Sequence, residues 1–108
     1  MKTLKFASPL VPKILSGEKT STWRLFDDKN LQKGDELIFI EKETGKEFIK
    51  AIIISVSEQK FNDLTDIDLQ GHERFESDEK MYEAYKKYYK LEVTPDTVLK
   101  VIHFQLHK

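Results

Sequence analysis

The 108-residue sequence contains no cysteine. Disulfides, thiolate metal sites and a cysteine nucleophile are therefore excluded. Glycine is scarce, at four residues, and none sits in a strand, glycine-rich loop and helix unit. Neither a dinucleotide-binding fold nor a P-loop is expected. The three prolines are scattered, and no repeat, low-complexity tract or linker divides the chain. One domain spanning residues 1–108 is the expectation at this length. No apolar run approaches the roughly 20 residues that a membrane span needs. Met1-Lys2-Thr3-Leu4-Lys5 lacks the apolar stretch of a secretory signal, so a soluble cytoplasmic protein is expected. His72, His103 and His107 share no metal-ligand spacing, and neither a metal nor another cofactor is expected.

Excess charge of one sign is missing too. Eighteen Lys and Arg against 19 Asp and Glu leave a net charge of −1. A protein that grips long nucleic acid by many phosphates usually has a strong basic excess. The balance nevertheless hides a segregation. Residues 1–24 carry Lys2, Lys5, Lys13, Lys19 and Arg24 against Glu18. Residues 62–79 carry Asp63, Asp66, Asp68, Glu73, Glu76, Asp78 and Glu79 against Arg74. The two segments either face each other across a cleft or are two separate solvated surfaces.

The pattern that is present reads as α+β. Residues 3–6 form a short strand. Residues 9–16 form a helix whose apolar face is Leu10, Val11, Ile14 and Leu15, stopped by Gly17. Residues 20–24 are β-prone. Lys33-Gly34-Asp35 turns into a strand over 37–40, and Thr44-Gly45 closes a hairpin into a long strand over 47–56. Ile52-Ile53-Ile54 implies burial on both faces of that strand, which suits a small closed or half-closed barrel. Residues 61–76 are polar and broken, 79–90 form a second helix, and 97–106 the final strand. In that strand Val98, Ile102, Phe104 and Leu106 share a face interrupted by Lys100. Five or six strands with two main helices make a compact α+β barrel.

The densest polar constellation is Gly17-Glu18-Lys19-Thr20-Ser21-Thr22-Trp23-Arg24, directly after the helix stop. In a regular strand Thr20, Thr22 and Arg24 share one face, and Ser21 and Trp23 the other. Lys19 then falls opposite Thr22, and the two converge only if the chain still bends at residues 17–19. Convergence places an amine beside a hydroxyl, the arrangement a hydroxyl nucleophile needs. The lysine must lose its proton to act as base, which burial or a neighbouring cation such as Arg24 promotes. The competing reading is an edge strand, with Thr for β propensity and Lys for solubility. Tyr82, Tyr85, Tyr88 and Tyr89 lie on one helix, most of them on one side. They either pack onto the barrel or form a base-stacking platform.

Residues 14–24, followed by Lys33-Gly34-Asp35, resemble the opening of ASCH domains: helix, Gly, x, Lys-Thr-x-Thr-x-Arg, then a Gly-Asp turn into a strand. Residues 71–77, ahead of the aromatic helix, are similar to that family's second block, and Val101-Ile102-His103-Phe104 to its ending. The resemblance implies a PUA-like β-barrel. It also implies two classes of function. Some short ASCH proteins are amidohydrolases that deacetylate N4-acetylcytidine, and the residues carried over are Lys19, Thr22 and Glu73. Thr22 would attack the amide carbonyl, Lys19 would take its proton, and Glu73 would hold or protonate the leaving amine. The gap before the second block leaves Glu76 and Asp68 as alternative acids. Other ASCH domains are taken to be non-catalytic RNA-binding modules. In that class Lys19 and Arg24 would contact phosphate or a base edge, Thr20 would line the ligand site, and Trp23 would stack on a base. The implied partner is a modified nucleoside or RNA, with no membrane and no metal.

Overall fold

The computed structural model of the chain describes residues 1–25, 29–72, 74–89 and 92–107. The elements are β1 (Lys2–Phe6), α1 (Val11–Ser16), β2 (Ser21–Arg24), β3 (Glu36–Glu41), β4 (Glu47–Lys60), a one-turn α2 (Asp66–Leu69), α3 (Asp78–Tyr89) and β5 (Val98–His107). The strands lie in the order β1-β3-β4-β5-β2. β1 runs parallel to β3, and every other pair is antiparallel. The result is a five-stranded mixed sheet curled into a half-barrel, with α1 and α3 as its main helices.

Short-range chemistry accounts for the junctions. A 3-10 turn over Ser8–Leu10 leads into α1, whose first turn tolerates Pro12 because the amide there has no intrahelical partner anyway. Gly17 ends α1 at φ +87°, a left-handed conformation in which a side chain is penalised, and its N–H meets the Ile14 carbonyl at 3.1 Å. At the β3–β4 turn, the Lys42 N–H bonds to the Phe6 carbonyl at 2.8 Å and ties the turn to the end of β1.

Two strands depart from the pattern read in the sequence. Only Ile53 of the isoleucine triplet is core, at 1% exposure, whereas Ile52 and Ile54 are 37% and 47% exposed. β4 buries one face here, and its register on β5 slips between Ile53 and Ser55. The doubly buried strand is β5. Ile102 and Phe104 enter one core with Ile14, Phe39 and Ile53, while Leu99 and Val101 enter a second with Trp23, Phe61 and Tyr85. Val98, expected on the apolar face, is half exposed at the strand's start. α3 covers the second core with Met81 and Tyr85, and Tyr82 and Tyr89 pack against it, while Tyr88 stays exposed.

Candidate functional site

β1 and β2 are the two edges of the sheet. A half-barrel leaves a seam between such edges, with backbone groups that need partners. Here a cavity of about 280 Å³ opens at that seam. Its walls are Lys5, Phe6 and Ala7 from β1 and its end, Thr22, Trp23 and Arg24 from β2, Lys19 before β2, and Lys42 from the β3–β4 turn. His72 and the α3 residues Tyr85, Tyr88 and Tyr89 complete it.

The bend after α1 brings Lys19 and Thr22 to one cavity. The Lys19 N–H reaches back to the Lys13 carbonyl at 3.0 Å, so the chain is still turning at this residue. The Thr20 and Ser21 amides both bond to the Gly71 carbonyl, at 2.8 and 3.1 Å, and the strand proper begins only at Ser21. Lys19 and Thr22 are both buried, at 4% exposure each. The Lys19 Nζ donates to the Ser21 carbonyl at 2.7 Å, and the Thr22 Oγ1 accepts from Arg24 Nε at 3.2 Å.

Arg24 spans the seam. Its Nη2 donates to the Lys5 carbonyl at 3.1 Å, and its guanidinium carbon lies 4.8 Å from the centre of the Phe6 ring. The side chain therefore stitches β2 to β1 through a hydrogen bond and a cation–π contact. Trp23 is packed into the second core and still borders the cavity, so strict alternation does not separate it from Thr22. Its Nε1 donates to the Asp68 carbonyl at 3.2 Å. His72 stacks on the indole, and its Nε2 lies 3.2 Å from the Tyr85 hydroxyl.

Of the other expected site residues, those described do not border the cavity. Thr20 is exposed, packs against Gly71 and does not border the cavity. Glu73 lies outside the described residues. Of its two alternatives, Asp68 does not offer its carboxylate to the cavity: it accepts from the Thr65 N–H at 2.9 Å in the capping box of α2. Glu76 is exposed and is not a wall of the cavity. Asp63, Asp66, Asp78 and Glu79 are exposed as well, so these acids form a solvated surface. What the acidic segment does supply to the cavity, among the described residues, is His72. Lys5, Lys42 and His72 were not anticipated as site residues, whereas Tyr88 was expected only as one of four helix tyrosines that pack or form a stacking platform. Their only sequence signal is membership of a basic or aromatic run, and long-range pairing brings them together.

Among the described residues no group of three or more His, Asp and Glu could hold a metal ion. No helix among them is long and apolar enough to cross a membrane. The walls suit a small ligand that offers a flat π face to aromatics and acceptors to cations.

No protein-family model matches the sequence, and no curated protein matches it either. Solved structures do match. A protein from Enterococcus faecalis V583 assigned to the family DUF984 superposes with a TM-score of 0.76 at 18% identity, covering 91% of this chain and 69% of that one. An ASCH domain from Lactobacillus crispatus JV V101 gives 0.72 at 22% identity, over 97% and 78% of the two chains. The ASCH protein of Zymomonas mobilis gives 0.66 at 15%, over 98% and 67%. The chain therefore has the fold of these ASCH domains, a five-stranded half-barrel.

Proposed function

We propose that the cavity recognises a nucleoside, free or within RNA, and hydrolyses the amide of an N4-acylated cytosine. The observation that carries this reading is the shared burial of Lys19 and Thr22 in one cavity, despite their opposite sides by strict alternation. The cavity's volume of about 280 Å³ lies just below the range of about 300–1,000 Å³ typical of ligand sites, which suits a ligand no larger than one nucleoside. Trp23, His72 and the tyrosines offer aromatic faces for the base.

The chemistry follows from the residue types. The Thr22 Oγ adds to the acyl carbonyl as Lys19 takes the hydroxyl proton. Arg24 Nε, 3.2 Å from that oxygen, leaves the Thr22 proton free to point at a base. Collapse of the tetrahedral adduct breaks the C–N bond, and the cytosine amine leaves with a proton. Glu73 is the residue assigned by resemblance to hold or protonate that amine. Water then cleaves the threonyl ester, releases the acid and restores Thr22.

A second reading, a non-catalytic RNA-binding module, has its own support. Lys19 already bonds to the Ser21 carbonyl and Thr22 to Arg24, so both polar groups also serve the local structure. One assay separates the two. Under the hydrolase reading, purified protein releases cytidine from N4-acetylcytidine, and Thr22→Ala or Lys19→Ala abolishes turnover while circular dichroism stays native. Full activity in Thr22→Ala overturns the nucleophile assignment. Binding of RNA without turnover, weakened by salt and by Arg24→Ala, selects the module.

A further inference from the structure

The walls of the cavity are electrostatically one-sided. Among the described residues it is lined by the cations Lys5, Lys19, Arg24 and Lys42 and by no carboxylate, in a chain whose net charge is −1. Two of these cations are engaged by the protein. Lys19 donates to Ser21, and Arg24 donates to Thr22 and Lys5. The ammonium groups of Lys5 and Lys42, by contrast, have no hydrogen bond or ion pair among the described residues. The acid beside Lys42 in sequence, Glu43, accepts from the Ser8 N–H and hydroxyl at 2.9 and 2.7 Å, which directs its carboxylate to Ser8.

The fold brings the main chain at these two exposed lysines to one end of the cavity. The Lys5 carbonyl is held by Arg24 from β2, and the next carbonyl, of Phe6, is held by the Lys42 N–H from the β3–β4 turn. Three segments distant in sequence thus deliver Lys5, Arg24 and Lys42 to one end of the seam. An uncharged nucleoside gives such a cluster nothing to neutralise. A phosphate does: it takes several donors at once, and a lysine on a long rotatable stem meets it as a point charge.

We infer that the ligand of this cavity carries a phosphate, and that Lys5 and Lys42 form its subsite beside the nucleoside pocket. This rests on the nucleoside reading above and narrows it to nucleotides. The phosphate is either the monoester of a mononucleotide or the diester of an RNA strand.

The test is calorimetric titration of the full chain at low salt with five probes: N4-acetylcytidine, its 5′- and 3′-monophosphates, a short acetylcytidine-containing oligonucleotide, and ribose 5-phosphate. At least one phosphorylated form is expected to bind roughly tenfold or more tighter than the nucleoside, the scale of a charge-assisted hydrogen bond. In Lys5→Gln/Lys42→Gln its affinity falls to that of the nucleoside, while Lys33→Gln, on an exposed turn residue, keeps the difference. A preference confined to the oligonucleotide identifies a backbone diester, and one shared by a mononucleotide identifies a monoester. Equal affinity of nucleoside and phosphorylated forms, or a preference that survives in the double variant, overturns the subsite. If no nucleoside binds but ribose 5-phosphate does, and only with both lysines present, the subsite stands and the nucleoside reading fails. If nothing binds, both fail.

Discussion

The indole of Trp23 and the imidazole of His72 lie face to face, with ring centres 3.8 Å apart and planes 10° from parallel. The two residues are far apart in sequence, one in the polar motif before β3 and the other in the acidic segment before α3. The Tyr85 ring centre lies 6.0 Å from that of the indole with planes 23° apart, and its hydroxyl lies 3.2 Å from His72 Nε2. The Asp68 carbonyl takes the indole N–H. The acidic segment therefore meets the basic motif through an aromatic stack and a main-chain hydrogen bond, and the same stack borders the cavity.

Replacing Trp23 by Ala removes the stack and leaves the Asp68 carbonyl without its donor. A loss of about 3–5 kcal/mol is expected, as for other buried large-to-small aromatic changes, measured by urea unfolding. His72→Leu removes both the stacking partner and a partner of the Tyr85 hydroxyl, and should cost about 1–3 kcal/mol. Trp23 is the only tryptophan, so its fluorescence reports on the cavity directly. A ligand seated there should alter its emission, and an unchanged spectrum at saturation would place that ligand elsewhere.

Gly71 is held against Thr20. Its φ is +70°, and a Cβ built there would lie 1.8 Å from the Thr20 Oγ1 and 3.0 Å from its Cβ. Its carbonyl meanwhile anchors the amides of Thr20 and Ser21 at the start of β2. Gly71→Ala should therefore destabilise by about 1–3 kcal/mol, from overpacking and the left-handed backbone together. Thr20→Ala removes the nearest atom, so the double variant should recover part of that loss in a double-mutant cycle. Simple additivity would show that the contact is not the cause.

Much of this architecture is legible in the sequence, because local rules govern it. Gly17 stops α1, and the motif after it supplies Lys19, Thr22, Trp23 and Arg24 within six residues. The Ile52–Ile54 run misleads because an apolar run reports hydrophobicity and not which layers cover the strand. The face of β4 bearing Ile52 and Ile54 stays exposed, while β5 has a core on each side. The cavity is half hidden for a related reason. Lys5 and Lys42 meet because β1 pairs with β3 in parallel, and no short-range pattern encodes that pairing. The alternative acid Asp68 is legible as a helix cap: Thr65-x-x-Asp68 has capping spacing, and capping is what its carboxylate does.

Glu43 offers a test of the turn that carries Lys42. The Ser8 hydroxyl is the largest influence holding its carboxyl below the usual glutamate range, followed by the Glu43 backbone amide and, more weakly, the Ser8 amide and Lys42, with desolvation opposing them. The folded value is depressed, so this interaction favours folding above the unfolded glutamate value. It is lost as pH falls through the folded value. Carbon-detected NMR titration should find Glu43 titrating below the usual glutamate range, and Ser8→Ala should move it back up. A Glu43 titration unmoved by Ser8→Ala would mean that the hydroxyl hydrogen bond at 2.7 Å does not persist in solution.

Arg24 joins the seam to the site, and a lysine cannot replace it. Among the described residues the guanidinium group donates in different directions, to Thr22 Oγ1 and to the Lys5 carbonyl, and lies against Phe6. An ammonium keeps the charge but lacks the planar fork and the stacking face. Arg24→Lys should therefore separate two roles of the residue. If Arg24 serves only as a charge at the mouth, Arg24→Lys binds nucleotide as the parent does. If it orients Thr22, kcat for N4-acetylcytidine should fall roughly tenfold or more while KM changes little, the mark of an interaction made in the transition state. A rise in KM alone would assign Arg24 to ligand binding and remove it from the chemistry at Thr22.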